Sequence, residues 1–290
     1  MRFPQYWASA QTEILVDDRR FAIDIWRSSD DSQSAAVLAA REAAEAMRGR
    51  SPRAERPGCY GYGDHPLREE VLTRIQDERG REVAVISRNK MGCRVLNTHH
   101  ALFVDIDYPT HHPSLLEQLK IKVDHWLGHP ILPTLRNADE AVALERVMHL
   151  VRRHPDWQFR AYQTYGGMRV LLGHALFEPT DVTTLQIMDE LAVDPLYRQL
   201  CIRQRCFRAR LSPKPWRCGS PLAPGAFPRQ SPNQREDFAK WLGQYQRRSA
   251  HRAVCRLIGI YGAGTVHPQL QAIVQLHDDA TGVGEAWPLA

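Results

Sequence analysis

The sequence predicts an α+β fold around a central ferredoxin-like, palm-like sheet of order β-α-β-β-α-β, with an N-terminal ββα extension and a C-terminal helical segment. Two observations support this prediction. Residues 101–107 form a short apolar stretch typical of a buried strand, and a Tyr165-Gly166-Gly167 turn separates two further strands. The central elements, in chain order, are strand 101–107, helix 138–153, strand 157–164, strand 168–174, helix 180–191 and strand 206–211.

The flanking segments complete three predicted units, at residues 1–63, 64–212 and 213–290. The first contains a hairpin (strands 3–10 and 20–26), an alanine-rich helix at 33–47 and a Gly/Pro linker at 49–63. The second begins with a helix at 66–78, favoured by a proline in its first turn, and with strands at 82–87 and 93–98. The third is a Pro/Gly-rich linker with helices at 235–248 and 268–276. The stripe Phe238, Trp241, Leu242 and Tyr245 predicts that the first of these helices docks on the core.

Composition limits the class of protein. A chain of 290 residues with 43% hydrophobic and 24% charged residues is typical of a globular protein. It contains no apolar run of membrane-spanning length, so we expect a cytoplasmic location and no membrane partner. The net charge of +5 comes from arginine, which favours a polyanionic partner such as nucleotide or nucleic acid, although a solvated basic surface explains it about as well. Cys201, Cys206 and Cys218 do not have zinc-site spacing, and buried thiols are the favoured interpretation.

Two carboxylates stand out on strand 101–107. Side chains alternate across a strand, so Asp105 and Asp107 share one face while the aliphatic residues take the other. In a ferredoxin-like sheet the helices cover one face and leave the other free, and this strand is central. The same alternation places arginines around the aspartates on the free face. The predicted basic neighbours are Arg160, Arg169, Arg208 and Arg210. A metal on oxygen ligands beside arginines is a site for phosphate groups. We therefore expect Mg²⁺ or Mn²⁺ on Asp105 and Asp107, with His111 as a further ligand and His174 as a further phosphate contact.

Other interpretations of this face remain open. Arginines and aspartates on neighbouring strands also form cross-strand pairs with no function. Phe103 and Tyr162 are predicted on the same face and could stack on bases, which would give a non-catalytic RNA- or DNA-binding module. A protein-interaction scaffold without a phosphate site is the third alternative.

The motif Val104-Asp-Ile-Asp107 on the first strand of such a sheet resembles the first acidic motif of polymerase palm domains and of the archaeo-eukaryotic primase superfamily. Thr164-Tyr-Gly-Gly-Met-Arg169 resembles the second motif, with Arg169 where a histidine is expected. Asp194 is the nearest candidate for the third acid. The resemblance covers about residues 100–212 and implies metal-dependent nucleotidyl transfer, with Asp105 and Asp107 as catalytic metal ligands.

Overall fold

The structure is a computed structural model that describes residues 1–16, 19–49, 66–108 and 132–290. These residues form a mixed α+β structure. The strands are β1 (Tyr6–Val16), β2 (Arg19–Ser29), β3 (Glu70–Gln76), β4 (Glu82–Arg88), β5 (Arg94–Thr98), β6 (Leu102–Asp107), β7 (Phe159–Thr164), β8 (Gly167–Leu172), β9 (Phe207–Arg210) and β10 (Cys255–Tyr261). The helices are α1 (Gln33–Met47), α2 (Leu132–Arg153), α3 (Val182–Glu190), α4 (Pro195–Gln204), α5 (Pro232–Ser249) and α6 (Gln271–Thr281).

The N-terminal ββα elements are confirmed. β1 and β2 pair antiparallel from Tyr6–Ser29 onward, and α1 packs its alanine face on them. The Ser32 hydroxyl caps α1 by accepting a hydrogen bond from the backbone nitrogen of Ala35 at 3.1 Å. The linker and the hairpin turn fall mostly on residues 50–65 and 17–18, which lie outside the described residues.

The predicted helix at 66–78 is wrong, because this segment contributes strand β3. Val71, Thr73 and Ile75 are β-branched, and β3 pairs antiparallel with β4. Pairing with a neighbouring strand therefore outweighed the helix-start signal at Pro66. Helix α4 was not predicted.

The strands divide into a hairpin, β1-β2, and two four-stranded antiparallel sheets of order β10-β7-β8-β6 and β3-β4-β5-β9. A ferredoxin-like sheet requires the last strand, β9, to pair with β6, and β9 instead pairs with β5. Tyr197 of α4 provides the physical reason. Its hydroxyl lies 2.8 Å from the carbonyl oxygen of Phe103 on β6 and accepts a hydrogen bond from the backbone nitrogen of Arg208 on β9 at 3.2 Å. The phenol thus takes backbone positions that a β6–β9 ladder would use.

The C-terminal segment is more than the predicted helices. β10 pairs antiparallel with β7, so the segment supplies an edge strand to the central sheet. The predicted docking stripe of α5 is confirmed, since Phe238, Trp241 and Tyr245 are buried together. Within the described ranges, no helix combines the length and apolarity needed to cross a membrane.

Both faces of the central sheet are covered. One carries the main aliphatic core under α2 and α3. The other, expected to be free, packs against the second sheet and α6, where Phe103 and Tyr162 are fully buried. These two rings are therefore inaccessible to bases, and the expected aromatic platform is wrong.

Candidate functional site

A pocket of about 150 Å³ opens at the C-terminal end of β6. Its charged lining comes from β6, β9, the start of α4 and the segment after β9. These residues are Asp105, Asp107, Asp194, Arg210, Lys214 and Arg217. We call this set the mixed-charge pocket, because it brings together three acidic and three basic side chains from distant parts of the chain.

The β6–β8 register builds the acidic wall of the pocket. Asp105 lies opposite Arg169, and Asp107 lies opposite Gly167 at the end of the ladder. A Cβ atom on Gly167 would collide with the carbonyl oxygen of Ile106, so only glycine permits the strands to approach this closely here. The glycine turn of the sequence therefore fixes where Asp107 emerges.

Asp105 is held by a two-pronged ion pair. Its Oδ1 accepts a hydrogen bond from Arg169 Nε at 2.7 Å, and its Oδ2 accepts one from Arg169 Nη2 at 3.0 Å. The Arg169 side chain is 0% exposed, whereas that of Asp105 is 35% exposed. Burial by itself would raise the pKa of Asp105, but the charge and hydrogen bonds of Arg169 bring it below its ordinary value.

Arg169 continues this contact into the interior. Its Nη1 donates to the carbonyl oxygen of Arg210 at 3.0 Å and lies 3.3 Å from His277 Nε2. His277 Nδ1 lies 2.9 Å from Asp278 Oδ1. Burial lowers the pKa of His277, so the neutral ring can accept from Arg169 while its other nitrogen donates to Asp278. Asp105, Arg169, His277 and Asp278 form what we call the buried chain.

Asp107 is the exposed acid of the pocket. Desolvation by the pocket walls raises its pKa, and repulsion from Asp105 and Asp194 adds to the shift. Asp194 caps α4 by accepting a hydrogen bond from the backbone nitrogen of Leu196 at 3.1 Å. Asp194 lines the same pocket as Asp105 and Asp107, and its capping bond occupies one of its oxygens.

The basic wall of the pocket consists of Arg210, Lys214 and Arg217. Arg210 Nε is buried and has no hydrogen-bond partner among the described residues. Burial lowers the pKa of Lys214, and the neighbouring charges of Arg210 and Arg217 lower it further. The guanidinium of Arg217 stacks on the ring of Tyr165 at 4.3 Å. Because Arg169 neutralises Asp105, three cations face two remaining carboxylates.

Several predicted phosphate contacts lie elsewhere. Arg160 donates to Asp278 Oδ2 at 2.6 Å and to the Tyr162 hydroxyl at 2.8 Å, behind the sheet. Arg208 is locked to Glu69 at 2.7 Å, with exposures of 8% and 7% for the two side chains. Arg208 and Arg210 share one face of β9, and Glu69, which directly precedes β3 of the same sheet, takes up Arg208. Only Arg210, of the two β9 arginines, lines the mixed-charge pocket.

The predicted histidine contacts are not found at the pocket. His174 lies beyond β8 and stacks on Trp157, with ring centroids 4.7 Å apart. His111 lies outside the described residues. The histidine that does lie beside Arg169 is His277 of α6, which the predicted site did not include.

The donor set fits a hard divalent cation in part. Carboxylate oxygens are the ligands that Mg²⁺ and Mn²⁺ prefer. Desolvation is the main cause of the raised pKa of Asp107, and a cation would relieve the smaller contribution from repulsion by Asp105 and Asp194. In the described part of the chain, no three His, Cys, Asp or Glu side chains are grouped closely enough to hold a metal alone. A cation here would rest on Asp107 and Asp105 and take its other ligands from water or a bound phosphate. The five described cysteines are buried free thiols, as expected.

Comparisons of the chain with protein-family models, with curated proteins and with solved structures found no match.

Proposed function

We propose that the mixed-charge pocket binds the phosphate groups of a nucleotide or nucleic acid, together with Mg²⁺ or Mn²⁺. Arg210, Lys214 and Arg217 would hold the phosphates. Asp107 would hold the cation, and Asp105 would contribute only through lone pairs that its bonds to Arg169 leave open. The observation that carries the proposal is Arg210, whose buried Nε has no partner among the described side chains and which lines a pocket containing two more cations. A buried donor without a partner costs free energy, and an anionic ligand would satisfy it.

The size and charge of the pocket support the same ligand. About 150 Å³ is less than the ~300 Å³ at which drug-sized ligand pockets begin, so this pocket alone suits a small, highly charged group. When bound, a divalent cation would offset repulsion between the carboxylates and phosphate oxygens. Nucleotidyl transfer stays a prediction from the resemblance to the primase superfamily, and binding is what the pocket chemistry supports directly.

Calorimetric titration of tripolyphosphate and of a nucleoside triphosphate, each with and without Mg²⁺, tests the proposal. We expect the double variant Arg210→Ala/Lys214→Ala to lose at least about tenfold in affinity, since two charge-assisted contacts are removed. Arg41→Ala, which removes an exposed arginine on α1, is the matched control and should bind like the wild type.

The cation is tested through Asp107→Asn. This substitution should remove the affinity gained on adding Mg²⁺. Binding without Mg²⁺ should not weaken, because a carboxylate that repels phosphate is lost. Asp105 is unsuitable for that test because its removal would also leave the buried Arg169 without its ion-pair partner. Wild-type protein that binds neither ligand, or a double variant that binds as well as Arg41→Ala, would overturn the proposal.

A further inference from the structure

The segment after β9 holds a tryptophan ring in solvent beside the mixed-charge pocket. It forms a short 3₁₀ helix, Pro215–Cys218, in which Pro215 and Cys218 are buried. Trp216, between them, is 50% exposed, more than any other described Phe, Tyr or Trp side chain. Covering a large apolar ring with a ligand removes its surface from water, which is favourable. The ring is therefore a candidate ligand contact.

Contacts on both sides of Trp216 fix the backbone that presents its ring. The backbone nitrogen of Ser220 donates to the carbonyl oxygen of Pro215 at 2.9 Å, which closes the turn. Cys218 belongs to the buried cluster that contains Phe238 of α5, so the turn is attached to this helix. Because the turn is already ordered, little conformational entropy is lost when a ligand contacts the ring.

Lys214 connects this ring to the pocket. Lys214 lines the mixed-charge pocket, and its Nζ lies 5.5 Å from the centroid of the Trp216 ring. A phosphate oxygen that accepts a hydrogen bond from this Nζ at ~2.8 Å would therefore lie within about 8 Å of the centroid. In a nucleotide a single sugar joins the base to the nearest phosphate, so one nucleotide spans a distance of this order.

Tyr165 is a second exposed ring next to a cation of the pocket. It is 46% exposed, and the guanidinium carbon of Arg217 lies only 4.3 Å from its centroid, in close stacking contact. Lys214, near the ~6 Å limit of a cation–π contact, covers the Trp216 ring less closely. Exposed rings beside cations that bind the backbone are typical of sites for unpaired nucleotides. Of the two rings, Trp216 is the better placed to stack on a base.

We propose that Trp216 stacks on the base of a nucleotide whose phosphates lie in the mixed-charge pocket, where Lys214 binds them. This inference rests on the proposed function and narrows its ligand from any polyphosphate to one that carries an unpaired base. Stacking accepts any base, because each has a π-face. The bases of a duplex are already covered by their neighbours, so the ligand is a free nucleotide or a single strand.

Calorimetric titration of tripolyphosphate and of ATP, both with Mg²⁺, tests the inference, since only ATP carries a base. Trp216→Ala should weaken ATP binding by at least about fivefold, the lower end of the loss usual for one stacked base. Tripolyphosphate should bind this variant within about twofold of wild type, because no phosphate contact is removed. Trp216→Phe keeps an aromatic face and should retain most of the ATP affinity. Phe21→Ala, which removes a 47% exposed ring on β2, is the matched control and should bind both ligands like the wild type.

The outcomes separate this inference from the proposed function. If tripolyphosphate binds through Arg210 and Lys214 but Trp216→Ala binds ATP as tightly as the wild type, the stacking is wrong and the pocket stands. An equal loss for both ligands in Trp216→Ala would also overturn the stacking, because the ring would then act without a base. If neither ligand binds the wild type, the proposed function fails first. An oligodeoxyadenylate of about six nucleotides distinguishes the source, since tighter binding than ATP identifies a single strand and equal or weaker binding identifies the free nucleotide.

Discussion

On β6 and on β9, two residues of the same charge lie two positions apart, and in each pair only one has an ion-pair partner among the described residues. On β6, Asp105 gives both oxygens to Arg169, whereas Asp107 is exposed at the pocket. On β9, Arg208 is ion-paired with Glu69 although its buried Nη1 has no partner, whereas Arg210 keeps a buried Nε without a partner in the described structure. Residue type alone therefore does not decide the role of a charged side chain. The ion pairs of Asp105 and Arg208 hold the sheets together, and in the proposed function Asp107 and Arg210, at the strand ends, meet the ligand.

The largest effect on stability is expected from removing the arginine of the Asp105–Arg169 ion pair. Arg169→Ala should lower the free energy of unfolding by about 3–5 kcal/mol, because it leaves Asp105 without its ion pair and His277 without a donor. Urea denaturation measures this. Arg210→Ala, the matched change at the arginine that lines the pocket, should lower the free energy of unfolding by less than about 1 kcal/mol. Equal losses of unfolding free energy in the two variants would show that the ion-paired Arg169 and the pocket-lining Arg210 do not differ in structural role.

The Glu69–Arg208 pair gives the next largest effect. Glu69→Ala should destabilise the protein by about 3 kcal/mol, because Arg208 would remain buried as an unpaired cation. Asp189→Ala breaks an ion pair with Arg198 whose aspartate side chain is 63% exposed, and should change stability by no more than about 1 kcal/mol. A Glu69 variant as stable as the Asp189 variant would mean that the buried pair is dispensable.

Acid should act on the buried chain in two stages. The pKa of His277 is lowered by burial, so the unfolded chain takes up this proton first and stability falls as pH drops below about 6.5. The depressed pKa values of Asp105 and Asp278 keep their contribution intact until about pH 4, and it is lost as pH falls through the folded-state values. Unfolding midpoints from pH 7 to 3 report both stages.

The variant His277→Gln isolates the first stage. It should show a shallower loss of stability between about pH 6.5 and 5 than the wild type, by up to about 1 kcal/mol over that interval. His251→Gln, which removes an exposed histidine, is the control with an unchanged slope. A His277 variant whose slope matches this control would exclude His277 as the titrating group.

The same comparison explains what the sequence predicts well. Alternation along β6 correctly places Asp105 and Asp107 on one side, and the glycine turn correctly joins β7 to β8. Both are local features, decided by side-chain period and backbone freedom. The contact of Asp105 with Arg169 also follows from this local pattern, because β6 and β8 are paired.

The errors come from contacts that are distant in the chain. β5 pairs with β9, whose residues follow more than a hundred positions later, and this pairing places Arg208 in the sheet where Glu69 binds it. Helix α6, near the C-terminus, covers the face predicted to be free and brings His277 to Arg169. Neither event leaves a local signature in residues 101–107. A buried histidine-aspartate pair on an amphipathic helix was the available hint for α6.

The smallest effect on stability is expected from Asp107, the exposed acid of β6. The pKa of Asp107 is raised by desolvation and by repulsion from Asp105, so its charged form is disfavoured in the folded protein. Above that pKa the charge costs stability, and below about pH 4 the cost disappears. Asp107→Asn should therefore stabilise the protein at pH 7 by a few tenths of a kcal/mol, a small gain because the residue is exposed. The gain should vanish near pH 3, where the wild-type carboxylate is protonated.

The difference in unfolding free energy between variant and wild type at the two pH values measures this gain. Asp105→Asn should change stability in the opposite direction at pH 7. Destabilisation by Asp107→Asn at pH 7 would show that the Asp107 charge stabilises the fold, as that of Asp105 does. The division between structural and ligand-facing acids on β6 would then be wrong.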